Sequence, residues 1–176
     1  MTRVPFVDPD SDPELAGLAA GFRGRRGGQL INIYRTLLHS PDLAKSWFDH
    51  VNAVRWGTKL DGRLREIVII RVGHLNACAY IIKQHVPRLA APEGLTETDC
   101  AALADWPQRS AFSTRERAAL AYADAMTREI AVSGEVFAAL GPHFDQREIV
   151  ELTVLIGTYN MHSRVVCALD IELEKD

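Results

Sequence analysis

The stretch Arg65-Glu66-Ile67-Val68-Ile69-Ile70-Arg71-Val72 decides the fold class. Its β-branched run suits a buried strand, and a segment this short does not separate strand from buried helix by periodicity alone. Its surroundings favour the helix. No other segment supplies a strand partner, and the flanking chain is punctuated as helices. Asp12-Pro13 and Ser40-Pro41 each put a capping side chain before a proline at the first helical position. Thr96 with Asp99, Ser113 with Glu116, and Asp145 with Glu148 have the spacing of capping boxes or close variants. Behind them run Cys100 to Ala104, Arg117 to Met126 and Ile149 to Leu169, and Ser133 opens a further start ahead of Val136-Phe137. The reading is all-α, with about eight helices.

A chain of 176 residues, 47% hydrophobic and 24% charged, fits one domain that buries its own core. The expectation is a single domain over 1–176 with a short N-terminal extension, 1–12. A net charge of −3 argues against a nucleic-acid partner. The short basic cluster Arg23-Gly24-Arg25-Arg26-Gly27-Gly28 reads as a solvated turn. No run approaches the ~20 apolar residues that cross a bilayer, and no secretory leader is visible, so no membrane partner and a cytoplasmic location are expected. Cys78, Cys100 and Cys167 match neither a disulfide framework nor a zinc knuckle. The tetrapeptide Arg65-Glu66-Ile67-Val68 recurs as Arg147-Glu148-Ile149-Val150, either a chance helix start or the trace of a duplicated hairpin.

Reactive side chains gather between Leu64 and His85. Gly73 can end one helix and Asn76 can cap the next, placing Cys78 in its first turn, where the dipole favours a thiolate and Cys78 should be the most reactive of the three thiols. His85 follows seven residues on, roughly 20° off the same face and ~10.5 Å along the axis, too far to bond Cys78 within a straight helix. Glu66, on the preceding helix, can fold back onto either. An acid and an imidazole in an apolar pocket with Ile81 and Ile82 suit proton transfer; a buried Glu–His bond beside a core cysteine is the structural alternative.

The pattern Glu66-x11-Cys78-x6-His85 resembles the core of the alkylhydroperoxidase D / carboxymuconolactone decarboxylase superfamily. Arg115 to Thr127 and Tyr159-Asn160-Met161-His162-Ser163-Arg164 resemble its longer branch, so the likeness runs from about Leu30 to Leu169. It implies an all-α fold of packed hairpins, a homo-oligomer (dimer or higher cyclic assembly), and an active site on the hairpin with the Cys and His. It also implies Glu66, Cys78 and His85 as catalytic residues, with Tyr80 lining the pocket. Redox members carry Cys-x-x-Cys-x-x-x-His; here Ile81 stands in the place of the second cysteine, and the two-cysteine cycle has no intrahelical disulfide to form. Decarboxylase-like members with Tyr-Glu-Trp-x-x-His match at Tyr80 and His85 but place Glu and Trp where this chain has Ile81 and Ile82. The resemblance thus points to cofactor-free, lyase-type proton transfer on a small organic acid or lactone, to a peroxidase-like activity on Cys78 alone, or to a non-catalytic ligand-binding or structural member.

Outside the hairpin, Tyr159 and His162 share one face of a C-terminal helix, and Arg164 is a candidate for gripping a substrate carboxylate, or else part of a structural network. No spacing supports a metal among His74, His85 and Glu66. Cys100 and Cys167 read as core hydrophobes, and Trp47, Trp56 and Trp106 as core or interface anchors.

Overall fold

The computed structural model describes residues 2–24 and 28–174, with Pro87 by its backbone alone. Arg25, Arg26 and Gly27 of the basic cluster lie outside the described residues. Nine α-helices occur among these residues: α1 (Pro13–Gly24), α2 (Asn32–Leu37), α3 (Pro41–Trp56), α4 (Gly62–Leu75), α5 (Ala79–His85), α6 (Glu97–Ala102), α7 (Thr114–Arg128), α8 (Gly134–Ala138) and α9 (Gln146–Ala168). No strand occurs among them, and the 65–72 stretch is helical. The starts fall where the caps put them. Thr96 and Ser113 each exchange both capping-box bonds, Asp145 and Glu148 bond each other's backbone N–H, and Ser133 accepts from Val136 N–H.

The chain divides into two compact units, residues 1–53 with 166–176, and residues 54–165. The first is centred on an aromatic cluster in which Phe22 of α1 lies 5.1 Å from Tyr34 of α2 and 4.5 Å from Phe48 of α3, ring centre to centre. The second is built around α4. Every residue from Leu64 to Gly73 is buried, polar ones included, so this helix is enclosed on all sides rather than amphipathic. It packs against α5 and α7, and Ile67 and Ile70 join a core with Leu95, Leu103, Trp106 and Leu120. The buried Arg71 is compensated: it grips Asp124 of α7 with two bonds of 2.6 and 2.7 Å and also donates to the Leu103 and Ala104 carbonyls.

The turn from α4 into α5 corrects two expectations. Gly73 does not end α4, which continues to Leu75, and Asn76 closes that helix instead of capping the next. Gly73 is there for packing: a Cβ on it would lie 3.1 Å from Ile81 Cγ2 and 3.3 Å from Ile82 Cγ1, so α5 approaches α4 where a side chain is missing. The stop itself is a Schellman motif, with Ala77 N–H donating to His74 O at 3.1 Å and Cys78 N–H to Gly73 O at 2.9 Å. Such a motif requires a left-handed residue, and Ala77 supplies it at φ 49°. A Cβ in that conformation costs about 1 kcal/mol, which glycine avoids. Ala77→Gly is therefore expected to raise unfolding free energy by about 0.5 kcal/mol or less in urea melts, because the entropy gained by the unfolded chain offsets much of the strain relieved.

Candidate active site

Glu66 and His85 meet inside the second unit. Glu66 has no exposed surface and His85 is 4% exposed. α4 aims the carboxylate inward from its second turn, and α5 ends on His85, so that Glu66 Oε2 and His85 Nδ1 lie 2.6 Å apart. Burial by itself raises the Glu66 carboxyl. The His85 ring, by its charge and its hydrogen bond, together with the Arg55 and Arg65 guanidiniums, outweighs that and lowers it from 4.5 to about 2. An ionised carboxylate only accepts, so Nδ1 carries the proton and Nε2 is the ring nitrogen that can take or give one.

Tyr159 of α9 joins the pair, its ring edge-on to His85 at 5.4 Å, and His162 stacks on Tyr159 at 5.8 Å. Tyr80 and Ile81 are buried, and Ile82 is half-buried. Ile81 and Ile82 pack against α4 at Gly73. Arg164 is engaged elsewhere: it donates to Asn160 Oδ1 at 2.8 Å, and Asn160 in turn accepts from Asn76 and donates to Thr127. That network ties α9 to the end of α4 and leaves Arg164 apart from the Glu66–His85 pair.

The cysteines differ from expectation. Cys78 precedes α5 as its N-cap rather than sitting in the first turn, makes no side-chain capping bond and has no exposed surface. Cys167, read as a core residue, is the exposed thiol. Cys100 is buried, and burial followed by the charges of Asp99 and Glu66 pushes its thiol up. Access therefore favours Cys167, not Cys78, as the thiol most open to reagents.

Sequence reasoning passed over Arg55 and Arg65 as site residues, and Trp56, read as a core or interface anchor, is 60% exposed. Arg55 Nη2 donates to Glu66 Oε1 at 3.1 Å, Arg65 Nε lies 3.5 Å from the same oxygen, and each guanidinium lies 4.7 Å from the Trp56 ring centre. Adjacent helical residues such as Arg65 and Glu66 do not ordinarily face one another, and only the enclosure of α4 turns both inward.

The sequence profile of the Carboxymuconolactone decarboxylase family matches residues 41–125, the segment that holds both members of the pair. The chain is also 30% identical over 107 residues to the uncharacterised protein YdfG of Bacillus subtilis, covering 60% of this chain and 72% of that one. The chain belongs to the carboxymuconolactone decarboxylase family. The uncharacterised protein YnjA of Escherichia coli is 34% identical over 113 residues, covering 64% of this chain, and the match spans 62% of YnjA's length. Among solved structures, a peroxidase-related protein from Ralstonia eutropha with an alkylhydroperoxidase AhpD core superposes with a TM-score of 0.85 at 18% identity, over 99% of this chain and 93% of that one. The debrominase Bmp8, solved as a cysteine-to-alanine variant with 2,3,4-tribromopyrrole, gives 0.82 at 21% identity over 99% and 92%. These two likenesses are of fold: an all-α, alkylhydroperoxidase D-like architecture.

The lowered carboxyl has a consequence in acid. A carboxylate whose value falls on folding stabilises the native state above its unfolded value of 4.5, and that contribution is lost as pH falls toward about 2. Wild-type unfolding free energy is expected to drop through this window more steeply than that of Glu66→Gln, and parallel acid titrations in urea check the difference in slope.

Proposed function

We propose that this protein is an enzyme performing cofactor-free proton transfer on a small organic acid or lactone, as a lyase of the decarboxylase type. One observation carries the reading: the buried 2.6 Å hydrogen bond between Glu66 Oε2 and His85 Nδ1. A carboxylate that fixes one ring nitrogen as a donor leaves the imidazole to act through the other, the arrangement general acid–base chemistry needs. In this reading His85 Nε2 takes a proton from the substrate, or returns one to the carbon that keeps the electron pair when carbon dioxide leaves. Glu66 holds the ring and stabilises the imidazolium while it exists. Tyr80, Tyr159, Ile81 and Ile82 form the walls, and Ile81, where redox relatives have a second cysteine, makes them apolar. Cys78 takes no proton.

A second reading is peroxidase-like chemistry on Cys78: the thiolate attacks the peroxide, becomes a sulfenic acid, and is restored by an external thiol. It draws on a solved structure from Agrobacterium tumefaciens, 27% identical with a TM-score of 0.74 over 80% of this chain and 96% of that one, which has been suggested to be an AhpD antioxidant-defence protein. The burial of Cys78 weighs against it. Both readings include one functional domain and a homo-oligomer, for which the exposed Val150, Val154 and Met161 along α9 offer an apolar face. No helix among the described residues is long and apolar enough to cross a membrane.

Three variants separate the readings when the protein is screened against small carboxylic acids, lactones and hydroperoxides. Loss of a positioned acid–base group costs about 10²–10⁴-fold in rate, so His85→Ala and Glu66→Gln should both lose that much on an acid or lactone while Cys78→Ser keeps most of it. Inactive Cys78→Ser with merely slowed Glu66→Gln, on a hydroperoxide with added thiol, identifies the peroxidase. Activity untouched by all three removes the hairpin from the chemistry.

A further inference from the structure

From the buried pair a row of alternating charges runs outward. Glu66 Oε1 takes Arg55 Nη2 at 3.1 Å and Arg65 Nε at 3.5 Å, and Arg65 Nη2 then donates to Glu93 Oε1 at 2.7 Å. The two arginine side chains are 5% and 7% exposed, while Glu93 is 31% exposed. The outer end of the row rests on the start of α4. A Cβ at Gly62 would fall 1.7 Å from Glu93 Oε2, so the Glu93 carboxylate lies directly against the start of α4. The inner end is fixed by stacking, since both guanidiniums lie 4.7 Å from the ring centre of Trp56, which is itself 60% exposed. Arg65 is therefore shared between two carboxylates, one in the site and one at the rim.

We infer that Arg65 and Glu93 are positioning residues for the Glu66–His85 pair. Arg65 acts on the pair by its charge, its Nε 3.5 Å from Glu66 Oε1, and Glu93 sets how much of that charge the pair experiences. The inference rests on the proton-transfer reading for its catalytic meaning, but the geometry is independent of any substrate. Among the described residues, charged and titratable groups that face Glu66 include Arg55 of α3, Arg65 of α4, His85 of α5 and, more weakly, the Cys100 thiol of α6. Tyr159 of α9 faces His85. Arg65 is a group whose charge a rim residue can tune, because Glu93, outside the pair, lies 2.7 Å from it.

The row makes opposite predictions for its two outer members. Removing a cation favours the imidazolium, and removing the anion that neutralises that cation disfavours it. In ¹⁵N-histidine NMR of the full chain, with the ring assigned by its loss in His85→Gln, Arg65→Met should shift the His85 protonation equilibrium toward the charged ring by about threefold or more. Glu93→Gln should shift it by a similar factor toward the neutral ring, and Arg65→Lys should restore most of the wild-type titration. Residues that only pack the fold would move both variants in the same direction or neither, and either result overturns the inference. If Arg65→Met does not fold, Glu93→Gln decides alone: a shift toward the neutral ring supports the row, and no shift or the reverse shift overturns it. The measurement reads the ring and not turnover, so it stands or falls separately from the enzymatic reading.

Discussion

A carboxylate with no exposed surface is among the most expensive groups a fold can bury, and Glu66 is held ionised in that state. The surrounding architecture follows from the need to compensate it. His85 hydrogen-bonds one oxygen and Arg55 the other, from the ends of α5 and α3, and Arg65 of α4 lies at ion-pair distance. Removing any one partner leaves buried charge unbalanced, so these residues form a single electrostatic unit. The same low-polarity enclosure that makes the charge costly strengthens the hydrogen bond it makes to the imidazole.

Placing His85 over Glu66 depends on backbone chemistry a few residues away. Gly73 lets α5 lie close against α4, and the left-handed Ala77 sets the angle at which the chain leaves α4. Ile81 packs on α4 through the gap at Gly73, so its side chain is used here for helix packing.

The all-α class was legible because helix punctuation is local: capping residues and prolines act within four residues of their own position, and all three capping pairs are formed. Glu66 and His85 were legible because a family pattern names them. What sequence did not reveal depends on enclosure. Arg55 and Arg65 have no periodic relation to His85, and their inward direction follows from the burial of α4 on every side. The exposure of Cys167 and the full burial of Cys78 likewise depend on which helix faces are covered, and a residue type that behaves as a small hydrophobe carries no mark of either. The repeated Arg-Glu-Ile-Val shows the same limit. Glu66 lies at the centre of the candidate site, whereas Glu148 accepts from Asp145 N–H at the start of α9 and pairs with Arg115.

At neutral pH the shared proton sits on His85 Nδ1, with Glu66 bare. Neutron diffraction from perdeuterated crystals grown near pH 7 reads it directly. The account predicts deuterium on Nδ1 pointing at Glu66 Oε2 and none on either Glu66 oxygen. Deuterium on the carboxyl, with Nδ1 bare, would contradict it.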